Sequence, residues 1–305
     1  MRMCAGLTKR NILVYFKDKQ SVVFSVLTSI IVFALYLLFL KGTFVDAIDS
    51  VVSGVPLLKA RISDADLDTL TNITLLVGIL GTAMITVPFN CLTTVVSDRE
   101  NNVDQDILAT PVSRGQIILS YFLASSISAI LMTGFIMTVG LITLRISGDL
   151  HMKAGSVLGA YLVIILGCVS STALFMNIVL FFKTSSASGA FFGILSAVAG
   201  FVIGAYIPIS QFSESVQSVC NVFPASHTTM LLRNTLMNGI LDHIDSNIGG
   251  VDGGLFVNSV RDVYTFNACM FGKNVDVKGM ILYILFIAVI SIVSMIILYS
   301  KKYKR

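Results

Sequence analysis

Six stretches of the chain run for more than twenty residues without an Asp, Glu, Lys or Arg. They lie between Lys19 and Lys41, Asp68 and Asp98, Arg114 and Arg145, Lys153 and Lys183, Lys183 and Glu214, and Lys278 and Lys301, and hold 21, 29, 30, 29, 30 and 22 residues. A transmembrane helix needs roughly 20 apolar residues, because each rises ~1.5 Å and the hydrocarbon core is ~30 Å thick. Helices buried in a soluble core seldom run so far without a charge. The pattern therefore predicts spans at 21–41, 73–96, 116–144, 155–182, 187–208 and 279–300. The expected fold is an all-α polytopic membrane protein, one domain over 1–305.

Between the spans the pattern changes. Residues 5–20 interleave Leu7, Ile12, Leu13, Tyr15 and Phe16 with Lys9, Arg10, Lys17 and Lys19, which predicts an amphipathic helix along the membrane surface. This is not the pattern of a cleaved signal peptide, since the apolar run is too long and no small-x-small site follows. The first outer segment, 42–71, ends in Asp64, Asp66 and Asp68 and reads as a solvated loop. A further 18 uncharged residues separate Glu214 from Arg233, but Gln217, Asn221, Pro224 and His227 spoil them as a seventh span. Within the outer loop 209–278 they predict a re-entrant hairpin, which is tolerated at membrane depth when protein buries it. Beyond it, 238–278 is rich in Gly, Asn and Asp and reads as an external loop or small cap.

Composition agrees: mean hydropathy is +0.87 and 12% of residues are charged, against about 25% in ordinary soluble domains. The net charge of +4 gives no reason for a nucleic-acid partner. The distribution of charge says more. Arg2, Lys9, Arg10, Lys17 and Lys19 precede the first span, and KKYKR ends the chain. Both flanks belong in the cytoplasm by the positive-inside rule, so the loop around 97–116 lies inside a cell membrane that the chain crosses an even number of times.

Most chemistry is excluded. The closest string to GxxxxGK[ST] is Gly272-Lys273-Asn274, which lacks the preceding glycine and the hydroxyl, so no P-loop is expected. His151, His227 and His243 are external by this topology and none forms HExxH. No paired acids lie within a span, against a carboxylate proton relay. The five cysteines show no metal spacing; Cys91 and Cys168 sit in spans, and Cys220 with Cys269 could pair only in an oxidising compartment. Neither a catalytic site, a metal site nor a bound cofactor is expected. Asn90, beside Pro88, and Asn177 are candidates for lining a path, though bonding across helices is the commoner fate. Gly189, Gly193, Gly200 and Gly204 stand in pairs four apart, a spacing that lets helices approach closely, within the chain or at a dimer interface.

The informative segment is SDRENNVDQDILATPVSRGQIILSYFLAS, 97–125. It mixes Asp98, Arg99, Glu100, Asp104, Asp106 and Arg114 with Ile107 and Leu108; Pro111 breaks the helix and Ser113 can begin the next. A short amphipathic helix across the membrane face is built to be touched by a cytoplasmic partner. The segment resembles the membrane subunit of ABC-2 type transporters, ATP-driven exporters, in Asp98-Arg99-Glu100 and in Leu108 through Arg114 with Thr-Pro-Val-Ser-Arg. The likeness continues in Gly204-Ala-Tyr-Ile-Pro208 and in Phe223-Pro224 followed by Arg233, and departs at Asn102-Val103, where many relatives carry Gly-Thr. The resemblance implies that 97–114 is a coupling helix, with Asp98, Arg99, Glu100, Asp104, Leu108 and Arg114 as contacts to a separate ABC ATPase that binds ATP with Mg. It also implies a second permease, identical or not, and outward transport. The apolar spans favour an amphiphile: a drug, a lipid or a hydrophobic peptide. Two other readings stay open: a secondary transporter or channel, and a membrane sensor with an external ligand cap.

Overall fold

The second hydrophobic stretch becomes the axis of the molecule. The architecture is that of a computed structural model, which describes residues 2–35, 61–148, 150–250 and 252–302. Helix α1 (Arg2–Lys17) leads into α2 (Lys19–Leu35). The axial helix α3 (Asp64–Cys91) continues, after a break at Leu92, as α4 (Thr93–Glu100). Short α5 (Val103–Ala109) then precedes three long helices, α6 (Arg114–Ser147), α7 (Ala154–Val179) and α8 (Ser185–Val202). Helices α2, α6, α7 and α8 all pack on α3. Its most apolar window is 94% buried, against 17% for α8. The axis is thus core, and α8 stands at the periphery.

Five described helices are long and apolar enough to cross a membrane; α2 is a shorter apolar helix, and the rest of the 21–41 stretch lies outside the described residues. So does most of the outer segment 42–71. The last helix, α13 (Val277–Lys302), shows why lipid is required. One face, Met280, Ile284, Ala288, Met295 and Tyr299, is buried in the protein, while Leu282, Phe286, Val289, Val293 and Ile297 stand exposed on the other. An apolar face of that length cannot be left to water.

Two boundaries differ from those the charge-free runs suggest. The axial helix begins at Asp64, nine residues before 73, so the acidic patch is not a loop. Ser63 caps it, accepting from the Ala65 N–H at 3.2 Å, and acids in a first turn offset the positive end of the helix dipole. Helix α8 stops at Val202, six residues short of 208. Gly204 takes φ +70°, and the N–H groups of Ala205 and Tyr206 turn back to the Gly200 carbonyl at 2.8 and 3.2 Å.

Residues 209–278 are folded rather than a loop. Helices α9 (Glu214–Val222) and α10 (Pro224–Leu236) are separated by a break at Phe223-Pro224, with proline at the first helical position. The polar residues that spoil this stretch as a span hold the break and tie it to β1. Asn221 donates to the Cys269 carbonyl at 2.8 Å and accepts from the Ser226 hydroxyl at 2.9 Å, and His227 Nε2 lies 2.7 Å from the Asn221 carbonyl. Helix α10 packs on α3, α7 and α13. The closest approach is at Gly81 of α3, where a Cβ would lie 2.4 Å from Thr229 Oγ1. A cap follows: α11 (Asn238–Ile248), α12 (Leu255–Val263) and the antiparallel strands β1 (Ala268–Met270) and β2 (Lys273–Val275). Its Ile240, Ile244 and Phe256 join one hydrophobic cluster with Leu70 and Ile73 of α3. Gly272 sits in the strand turn, behind Phe271, both with positive φ as a tight hairpin turn requires. All five cysteines, Cys220 and Cys269 included, are free thiols.

Candidate functional site

Three consecutive residues at the end of α4 join four other helices. Asp98 is 6% exposed, turned inward by the apolar neighbours Val95 and Val96. Both its oxygens accept from the Arg10 guanidinium of α1, one of them at 2.9 Å from Nη2, and the Tyr121 hydroxyl of α6 donates to it at 2.6 Å. A two-pronged guanidinium–carboxylate pair of this kind fixes orientation as well as energy. Arg99 points the other way. Its Nη1 donates to the Leu180 carbonyl at 3.1 Å and to the Phe182 carbonyl, and Lys302 at the end of α13 also donates to Leu180. The last carbonyls of a helix have no partners within it, so two cations at the end of α7 satisfy both the hydrogen bonds and the dipole. Burial, and then the neighbouring Arg99 and Lys183, push the Lys302 amine below its ordinary value.

Glu100 completes the set at the opposite pole of the next helix. Its carboxylate accepts from the Ser185 backbone N–H at 3.0 Å and from the Ser185 hydroxyl, at the start of α8. Hydrogen bonds from the Ser185 hydroxyl and then its N–H hold the Glu100 carboxyl below its ordinary value. An anion thus meets a helix N-terminus while, one residue earlier, a cation meets a helix C-terminus. Helix α1, the ends of α4 and α7, the start of α8 and the last turn of α13 are gathered at one end of the bundle, here the terminal end.

The segment projecting from this hub is the exposed one. Asn102 turns the chain with φ +60° and ψ +12°, in the left-handed region that asparagine tolerates better than most residues. Helix α5 follows, anchored by buried Ile107 and half-buried Leu108, with Gln105 and Asp106 exposed and Asp104 half-buried. The turn Thr110–Ser113 leads to a capping box, in which Ser113 and Gln116 exchange hydrogen bonds at the start of α6. A shallow hollow of about 500 Å³ opens beside it, lined by Leu108, Thr110, Pro111, Val112, Ser113 and Arg114.

Of the contact residues expected from the sequence, Asp98, Arg99 and Glu100 spend their charges on the protein itself, Leu108 and Arg114 line the hollow, and Asp104 is half-buried. Sequence reasoning missed Arg10 and Tyr121; the one signal is an acid, Asp98, set two residues after a pair of valines. Asn90 donates to the Ser21 carbonyl at 2.6 Å and to the Ser25 hydroxyl at 2.7 Å, and Asn177 to the Ala173 and Ser291 carbonyls at 2.8 and 3.0 Å. Both amides therefore tie neighbouring helices, a contact worth about 1 kcal/mol in a membrane. Gly200 receives the Tyr206 ring, while Gly189 and Gly193 face open space within this single chain.

Arg233 of α10, a landmark of the family resemblance, has a structural role. It is 3% exposed, and its Nη1 and Nη2 donate to four backbone carbonyls: Tyr264, Thr265 at 3.2 Å, Ile203 at 3.2 Å and Gly204 at 3.1 Å. It closes the C-terminus of α8, as Arg99 closes that of α7.

A family model described as ABC-2 family transporter protein matches residues 58–300, most of the chain. No curated protein matches it.

Proposed function

The chain belongs to the ABC-2 family of transporter proteins, and on that premise we propose that it is the permease subunit of an ATP-driven exporter. Separate ABC ATPase subunits, carrying ATP and Mg, dock on α5 and the turn that follows. The observation that carries this reading is the hub behind α5. A force applied to residues 103–114 reaches α1 and α6 through Asp98, α7 through Arg99, whose Leu180 acceptor is shared with Lys302 of α13, and α8 through Glu100. Charges at the docking face, exposed Asp106 and half-buried Asp104 and Arg114, set partner choice and register. Asp98, Arg99 and Glu100 act behind the contact, holding its base.

The terminal end faces the cytoplasm, since it collects the basic flanks of the chain. A second permease, identical or not, seats against α8, whose Gly189 and Gly193 leave a smooth face and whose Ile194 and Val198 are exposed. Substrate moves outward along α3 and α8, with α9 and α10 near its exit. The cargo is an amphiphile, since the spans are apolar and the Asn90 and Asn177 amides donate to helix contacts rather than to a path. ATP closure pulls the ATPases together, the hubs of two permeases follow, and the helices they hold rearrange around the path.

Charge reversal of the exposed Asp106 to Lys tests the docking face. The variant is expected to keep its thermal midpoint and to lose at least tenfold of the ATPase that co-purifies with the wild type. Undiminished ATPase retention, with substrate-stimulated hydrolysis intact in vesicles, would overturn the assignment.

A further inference from the structure

At the far end of the bundle a second set of side chains converges. Asp66 and Asp98 lie 32 residues apart on the nearly continuous α3–α4 helix, which separates them by ~48 Å at 1.5 Å per residue. Around Asp66, His151 of the α6–α7 turn and His243 of α11 each bring a ligand atom, and the three atoms lie within 4.8 Å of one another. His243 Nε2 is 3.6 Å from Asp66 Oδ1 and 3.1 Å from Asn247 Nδ2. The His151 and His243 rings are stacked, with centroids 3.7 Å apart and planes 11° from parallel. We propose that Asp66, His151 and His243 bind a divalent transition metal of the zinc class, which fastens the cap to the long helices.

Three observations carry the proposal. The first is the carboxylate. Asp66 is 8% exposed, and the group set beside its carboxylate is the His243 imidazole, at 3.6 Å. Buried charges are normally paired or bound to metal. The second is the donor set. Two imidazoles and one carboxylate suit zinc and its neighbours, whereas Mg²⁺ and Ca²⁺ seek six or more oxygens. Three protein ligands leave a fourth position for water. The third is preorganisation. A Cβ on Gly239 of α11 would lie 2.3 Å from the His151 carbonyl oxygen, so a glycine there lets the turn bearing His151 settle against the helix bearing His243.

Zinc–nitrogen and zinc–oxygen bonds near 2.0–2.2 Å place tetrahedral donors ~3.3 Å apart. The His243–Asp66 separation is already close to that. The stacked rings must tilt for their lone pairs to converge, a rotation about a broad torsional well. Metal so held bridges the first turns of α3, the α6–α7 turn and α11, three segments far apart in sequence. Binding to the folded chain alone raises its stability by mass action. The binding is independent of the transport reading and survives its failure.

The test uses the full-length chain without a polyhistidine tag, in detergent at pH 7.5 after treatment with a chelator. Equilibrium dialysis against Zn²⁺ is expected to give one zinc per chain, with a rise of roughly 5 °C in thermal midpoint near saturation. Mg²⁺ at the same concentration leaves the midpoint unmoved. The His151→Gln and His243→Gln variants keep their size-exclusion profile and lose at least tenfold in zinc affinity. Zinc bound at well under one per chain, an equal effect of Mg²⁺, or undiminished binding in the double His→Gln variant would each overturn the site. The last outcome would place the metal on the thiols.

Discussion

Helices α7 and α8 each end on an arginine that arrives from a distant part of the chain, and the two ends are built differently. At the terminal end Arg99 is half-buried and shares the Leu180 carbonyl with Lys302. Acids flank it on both sides, one paired inward with Arg10 and one outward with Ser185. At the far end Arg233 is enclosed, and its four acceptors are backbone carbonyls drawn from the end of α8 and from residues 264 and 265. The first arrangement has redundant donors and water nearby, so bonds can be exchanged at little cost. The second has neither, and losing one donor leaves several carbonyls bare. The difference assigns rigidity to the far end and adjustment to the end where a partner would act.

The largest effect expected is therefore at Arg233. Arg233→Ala strips donors from four carbonyls at about 1–3 kcal/mol for each buried acceptor left unsatisfied. The variant should fail to give a monodisperse size-exclusion peak, and Arg233→Lys should recover part of the yield. Equal behaviour of Arg233→Ala and Arg99→Ala would remove the contrast.

Next comes the pair that anchors α1. Arg10→Ala leaves the Asp98 carboxylate buried without its counter-charge, a loss of about 3 kcal/mol, moderated because Arg10 itself is about one-third exposed. The double variant Arg10→Ala/Asp98→Asn should be more stable than the sum of the single effects predicts, as a double-mutant cycle of thermal midpoints would show. Additive effects would mean that the two side chains are not coupled.

Arg99→Ala should cost less, about 1–2 kcal/mol, because Lys302 still serves the Leu180 carbonyl. Its larger consequence is functional. With its link to α7 weakened, the permease should stimulate ATP hydrolysis less while still retaining the ATPase, a split that co-purification and hydrolysis assays separate.

The smallest effect belongs to Ser185→Ala. Glu100 is held below its ordinary value of 4.5 by Ser185. A carboxyl whose folded pKa is depressed adds stability above its unfolded pKa, and that stability is lost as pH falls through the folded value. Unfolding followed from pH 6 to pH 3 should show a shallower acid decline in Ser185→Ala than in the wild type. Identical slopes would show that the serine does not hold the carboxylate.

Much of the bundle is legible in the sequence because it depends on runs. The absence of charge marks where helices can sit in lipid, and Pro111 followed by Ser113 marks a break and a restart. Two boundaries escape this logic. Asp64, Asp66 and Asp68 are charged, yet helix N-termini favour acids, so α3 starts among them. Gly204 ends α8 although the hydropathy continues to Pro208. The hub is half legible. Asp98-Arg99-Glu100 stands out as a motif, but neighbours in sequence point to different helices, and no local pattern pairs Asp98 with Arg10, 88 residues away. Arg233 is isolated by an uncharged stretch, which hints at burial without naming four carbonyls as the reason. The Asp66, His151 and His243 group is invisible to spacing rules, since its members belong to three separate segments.

The central claim is that a cytoplasmic ATPase meets this chain on α5 and the turn after it. Site-specific photocrosslinking in native membranes tests it most directly, with the probe placed at exposed position 106 and, for comparison, at 247 on α11. The account predicts that position 106 yields an adduct with an ABC ATPase, identified by mass spectrometry, and that position 247 does not. No ATPase adduct at 106, or one of equal yield at 247, would contradict it.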